Sequence, residues 1–145
     1  MNLHTFLQEL ITRLKINCEI DLCIDPAMSV SVDENVFRYG VEPILDNAIF
    51  YNKLRNGGAN KIKIKTTRLN KMTLLSFSDS GPGISESRID QVFDMFYIGN
   101  EASEGNGLGL FISKTAMNLL NINITIKSRK GEFTNVLLDL SKVVC

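Results

Sequence analysis

The sequence predicts an α/β domain, and three observations carry that prediction. Apolar residues recur at helical spacing over three stretches: Leu3 to Leu14, Glu34 to about Lys53, and from just after Gly109 to about Leu120. Between and after them lie segments that alternate apolar with polar residues, the period of a half-buried strand. Short turn signals join the later segments in pairs. At 145 residues the chain is the length of one domain, and its 44% hydrophobic content is enough for a core.

Taken in order, Leu3, Phe6, Leu7, Leu10, Ile11 and Leu14 define the first helix. His4, the only histidine, stands at its start and reads as a surface residue. Cys18, Ile20, Leu22 and Ile24 share one face of a strand. Asp25-Pro26 makes a turn, and Ser29 to Val32 reads as a short second strand. Asp33 is a good N-cap for the second helix, because its carboxylate can take one of the four orphan N–H groups. Phe37, Val41, Ile44, Leu45, Ala48 and Ile49 give that helix its buried side. Pro43 removes a helix hydrogen bond and crowds the preceding turn, at ~3 kcal/mol in an unbroken helix, so a kink is expected there.

Asn56 to Asn60 is a loop. Ile62 and Ile64 then alternate with Lys61, Lys63 and Lys65, a strand whose lysines face water. The turn Leu69 to Met72 leads into a strand over Lys71 to Ser78. Ser85 caps a short helix through Ile89, Val92 and Phe93, with Phe93 in the core. Ile98 to Glu104 is short and polar. After the third helix, Ile122, Ile124 and Ile126 alternate, Lys130-Gly131-Glu132 turns, and Asn135 to Leu140 returns as a hairpin.

Composition narrows the function. Sixteen basic residues balance sixteen acidic ones, so no charge footprint points to nucleic acid or a membrane surface. No apolar run is long enough to span a bilayer, and the N-terminus lacks a signal-peptide pattern. Cys18, Cys23 and Cys145 have no metal-ligand spacing and read as thiols in a reducing compartment.

Three pieces carry chemistry. Gly105-Asn106-Gly107-Leu108-Gly109-Leu110 alternates glycine with other residues and opens directly into a helix. Uncovered backbone N–H groups and the positive end of a helix dipole together suit phosphate. Asp79-Ser80-Gly81-Pro82-Gly83-Ile84 sets a carboxylate at the end of a strand, followed by a type II turn with Pro82 at i+1 and Gly83 at i+2. A carboxylate at the mouth of an apolar pocket accepts from the exocyclic amine of adenine and rejects guanine, which presents a carbonyl there. Asn47 and Tyr51, four apart, project from one helix face, and an amide oxygen can hold Mg²⁺ together with phosphate oxygens and water.

These pieces, with Val92-Phe93-Asp94-Met95-Phe96-Tyr97 between the two glycine stretches, resemble the N, G1, F and G2 boxes of the ATP-binding domain of sensor histidine kinases. That domain belongs to the superfamily shared with DNA gyrase, the heat-shock chaperones and the mismatch-repair ATPases. The resemblance covers about Ile16 to Leu140. It implies a two-layer α/β sandwich: a mixed, mostly antiparallel sheet of about five strands, three main helices on one face, and a flexible ATP lid over Ile98 to Glu104. It implies ATP and Mg²⁺ as cofactors, with Asn47 as the metal ligand. Nucleotide contacts follow at Tyr51, Asp79, Gly81, Gly83, Ile84, Phe96 (the lid anchor), Gly105, Asn106, Gly107, Leu108 and Gly109. No catalytic residue is assigned within the domain.

The implied function is to bind Mg-ATP and donate its γ-phosphate to a histidine on a separate dimerisation and phosphoacceptor domain, for relay to a response regulator. Residues 1–145 then form one domain, with 1–15 a linker helix from that other domain. The location is cytoplasmic, with no nucleic-acid or membrane contact by this segment. Two departures stand out. Pro43 replaces a polar residue four before Asn47, and Phe50 replaces a basic one three after it; Glu42 is one residue off register, roughly 100° around the helix. They motivate an alternative, a degenerate nucleotide-binding regulatory or interaction module; a serine kinase of the anti-sigma-factor type, which has the same fold, is a further one.

Overall fold

The computed structural model describes residues 1–14, 18–53, 61–81, 83–84, 88–94 and 109–145, with Tyr51 described only by its place in a helix. Helix α1 spans Leu3–Arg13, and Asn2 caps it by accepting the Thr5 N–H at 2.9 Å. Strand β1 is Glu19–Cys23, and helix α2 runs from Glu34 to Lys53 with Pro43 inside it. The expected cap is present: Asp33 Oδ1 accepts the Val36 N–H at 3.0 Å. Strands β2 (Lys61–Leu69) and β3 (Met72–Asp79) form a hairpin whose turn puts Asn70 at φ 57, a left-handed conformation asparagine tolerates. Ile89–Gln91 makes one 3-10 turn. Helix α3 (Gly109–Leu119) leads to the hairpin of β4 (Asn123–Arg129) and β5 (Phe133–Asp139).

The five strands make one sheet in the order β1-β2-β3-β5-β4. Only β1 and β2 are parallel, and α2 is the crossover that parallel pairing demands. The register explains the layering. Ile64 pairs with Phe77, Phe77 with Val136, and Val136 with Ile126, and all four are buried beneath the helices. One residue away, Lys63, Ser78, Asn135 and Lys127 line up on the opposite face. Lys61, Lys63 and Lys65 are exposed there, as their alternation predicts. The expected two-layer sandwich, with its helices on one face, is therefore the observed fold.

The core lies between that face and the helices, with Phe37, Leu45, Leu75, Phe77, Met117 and Leu138 almost without exposure. Each such side chain contributes about 1.5–3 kcal/mol by leaving water. Helices α2 and α3 approach closely at Gly40, where a Cβ would come within 2.3 Å of the Met117 Cε. Helix α1 belongs to the same core. Its Leu3, Phe6, Leu7 and Leu10 are buried, and Phe6 meets the Phe37 ring at 5.2 Å between centroids.

Two expectations change. Ser29 to Val32 does not enter the sheet; Ser29 bridges to Asn2 and Val30 to Val144. Ser31 N–H donates to the Val143 carbonyl at 2.7 Å, so the segment fastens the start of α1 to the chain after β5. Extended backbone is a local choice, but its partner is chosen by packing. Among the described residues the short helix expected after Ser85 appears as the 3-10 turn Ile89–Gln91, while residues 85–87, with Ser85 itself, lie outside the described residues. Phe93 is half-buried against the core, and His4, at the start of α1, is also half-buried. Among the described residues no helix is long and apolar enough to cross a membrane.

Candidate functional site

Asp79 is the last residue of β3 and sits on the face covered by the helices, since it continues the buried series Thr73, Leu75, Phe77. Its relative exposure is 8%. Burial pushes its carboxyl up to about 6, and the Gly81 N–H, donating to Oδ1 at 2.9 Å, opposes that rise only in part. That bond uses part of the acceptor capacity of a carboxylate, which has about four lone-pair sites. A buried carboxyl at a strand end with acceptor capacity to spare is suited to holding a donor of a ligand.

Gly81, Gly83 and Ile84 follow it in the chain. Gly83 takes φ +70, the value the i+2 position of a type II turn requires. The loop also lies against the β4–β5 hairpin, for a Cβ on Gly83 would fall 2.2 Å from the Arg129 carbonyl oxygen. Glycine is thus demanded here by the turn and by a neighbouring backbone, which local sequence does not disclose. Gly83→Ala is expected to destabilise the fold by about 2–4 kcal/mol, from left-handed strain plus the displaced hairpin. Denaturant unfolding measures this, and a cost below about 0.5 kcal/mol would refute the close approach.

Ile84 is half-buried, and its N–H donates to Ser128 Oγ at 2.7 Å. Ser128 and Thr134 are residues that sequence reasoning missed. They sit in a polar hairpin forty residues downstream in ordinary alternation, and nothing local sets them apart.

Asn47 is half-buried on α2, one turn after Pro43 and on the same face. Gly109 opens α3, and a Cβ on it would lie 3.5 Å from the Pro43 Cβ. The start of α3 is therefore set beside the part of α2 that carries Asn47, and α2 in turn packs on β3, which carries Asp79. Glu42 faces elsewhere, its Oε1 2.9 Å from the Arg13 guanidinium of α1. Lys114 is exposed, with its ammonium 5.1 Å from the centroid of the Phe93 ring. Phe96, Gly105, Asn106, Gly107 and Leu108, with the lid segment Ile98 to Glu104, lie outside the described residues.

Comparison with known proteins gives a consistent answer. Residues 32–143 match the family model described as histidine kinase-, DNA gyrase B- and HSP90-like ATPase. The sensor histidine kinase YkoH of Bacillus subtilis is 32% identical over 120 residues, which cover 80% of this chain and 25% of that protein. The signal transduction histidine-protein kinase ArlS of Staphylococcus aureus is 40% identical over 94 residues, covering 62% of this chain and 20% of that protein. The chain thus spans a quarter or less of these relatives. Among solved structures, the mycobacterial sensor histidine kinase MprB superposes with a TM-score of 0.74 at 22% identity, over 94% of this chain and 89% of that one. The catalytic domain of histidine kinase ThkA also gives 0.74, at 23% identity, over 97% and 92%. The match runs from the residue before Asp33 almost to the end of the chain and takes in Asn47, the Asp79 loop and Gly109, so this chain belongs to the histidine kinase-, DNA gyrase B- and HSP90-like ATPase family.

Proposed function

We propose that the chain is the ATP-binding catalytic domain of a sensor histidine kinase. The observation that carries this reading is the buried Asp79 carboxyl, anchored by Gly81 at the end of β3 within the family match. Asp79 accepts the exocyclic amine of adenine, Ile84 packs against the base, and Tyr51 and Phe96 add contacts to the nucleotide and the lid. The Asn47 amide oxygen holds Mg²⁺, a hard cation that takes few protein ligands. The stretch Gly105 to Gly109 with the start of α3 holds phosphate through backbone N–H groups. Bound Mg-ATP supplies the transferable phosphoryl group. The protein contributes position and charge neutralisation, the larger part of catalysis in phosphoryl transfer.

The acceptor in this reading is a histidine on a helical dimerisation domain joined through α1, and the phosphoryl group passes from there to a response regulator on the cytoplasmic side. Pro43 places no carboxylate one turn before Asn47, and Glu42 is turned to Arg13, so this position of α2 gives bound ATP no general base, which favours transfer over hydrolysis. The test is calorimetric titration with ATP, with and without Mg²⁺, and with GTP as a control. Transfer of radiolabel to a separately supplied phosphoacceptor domain follows. Adenine-selective binding that Mg²⁺ strengthens, then label on histidine, is the expected result. A folded protein that binds no ATP at millimolar concentration would overturn the reading in favour of a degenerate interaction module.

A further inference from the structure

We infer that Ser128, on the edge strand β4, is the positioning residue that holds the Asp79 loop in its binding shape. The inference rests on the ATP reading of that loop. Ser128 stands on β4 opposite Thr134, and Thr134 on β5 stands opposite Asp79, so one row of the sheet carries all three. Its Oγ accepts the Ile84 N–H at 2.7 Å and donates to the Phe133 carbonyl at 2.7 Å. A third contact joins it to Thr134 Oγ1 at 3.0 Å. A hydroxyl has one proton, which goes to Phe133, so Thr134 is the donor in that third contact.

The adjacent residue completes the clamp. Gly83 lies so close to Arg129 that a Cβ would meet its carbonyl oxygen at 2.2 Å. Two consecutive loop residues, Gly83 and Ile84, are thus held by two consecutive residues of β4, Arg129 and Ser128. At the other end the loop is tied by the Gly81 N–H to Asp79. The loop is pinned at both ends before any ligand arrives, and preorganisation of this kind lowers the ordering cost of binding.

Ser128→Ala removes an acceptor and leaves the Ile84 N–H without it. ATP binding is expected to weaken about tenfold. Ser128→Thr, which keeps the hydroxyl, is expected to restore affinity to within about twofold. The decisive readout is coupling: in an Asp79→Asn background, where the base contact is already lost, Ser128→Ala costs little further affinity. A residue that merely supports the fold would cost the same factor in both backgrounds, and that result overturns the inference. So does a Ser128→Ala protein that binds ATP as tightly as wild type. Amide hydrogen exchange on the wild-type protein gives a test free of substitutions: a protected Ile84 amide supports the clamp and a freely exchanging one refutes it. Wild-type protein that binds no ATP removes the ATP reading and this inference together, whereas normal wild-type binding with an indifferent Ser128→Ala removes the inference alone.

Discussion

Asp79→Asn is expected to weaken ATP binding about a hundredfold while making the nucleotide-free fold more stable. A hydrogen bond to a charged group is worth about 1.5–3 kcal/mol, and every 1.4 kcal/mol is tenfold in affinity. Asparagine also turns a pure acceptor into a group with an amide donor, which faces the adenine amine donor to donor in one of its two orientations. The stability gain follows from linkage. The Asp79 carboxyl titrates near 3.8 when unfolded and at about 6 when folded, because burial disfavours its charge. Between those values the folded state binds more protons, so stability falls as pH rises through the window, and the cost is fully present at pH 7. Removing the charge returns about 1–3 kcal/mol. Thermal unfolding without nucleotide at neutral pH checks the sign, and a less stable Asp79→Asn protein would contradict it. In wild type, ATP affinity should rise with pH up to about 6 and then level off. The substituted protein gives the baseline for the titration of ATP itself. A site that trades stability for binding in this way is what a functional carboxylate looks like.

Asn47→Ala is expected to reduce Mg-ATP-dependent phosphoryl transfer by about a hundredfold or more, with a much smaller loss in Mg²⁺-free nucleotide binding. Perturbing even the outer partners of a metal ligand costs about 10–100-fold in metal affinity or activity, and removal of the ligand itself should cost at least as much. Asn47 is half-buried and its neighbours Leu45 and Ala48 carry the core contacts, so truncation leaves the α2 packing in place. Titrations at several Mg²⁺ concentrations separate the effects. An Asn47→Ala protein whose transfer rate keeps the wild-type Mg²⁺ dependence would remove Asn47 from the metal site.

The local conformations of this chain were legible in its sequence. Periods of two and of 3.6 marked the strands and the helices, Asp33 announced the start of α2, and Gly83, expected in a left-handed conformation, does take φ +70. The candidate site was legible as far as its pieces were contiguous. Asp79, Gly81 and Gly83 lie within five residues of one another, so bonds a few residues long fix their relations.

What joins the pieces was decided only by tertiary packing. Ser29 to Val32 reads as a strand, yet its partners are Asn2 and Val144 rather than the sheet. Glu42 and Pro43 are neighbours in sequence, but one is turned to Arg13 of α1 and the other lies beside Gly109 of α3. The position of β5 between β3 and β4 brings Ser128 to Ile84, forty-four residues away. Backbone dihedrals answer to steric contacts within a residue or two, so sequence determines them. A hydrogen-bond partner across the sheet is selected by which apolar faces must be buried together, and that is a property of the whole core.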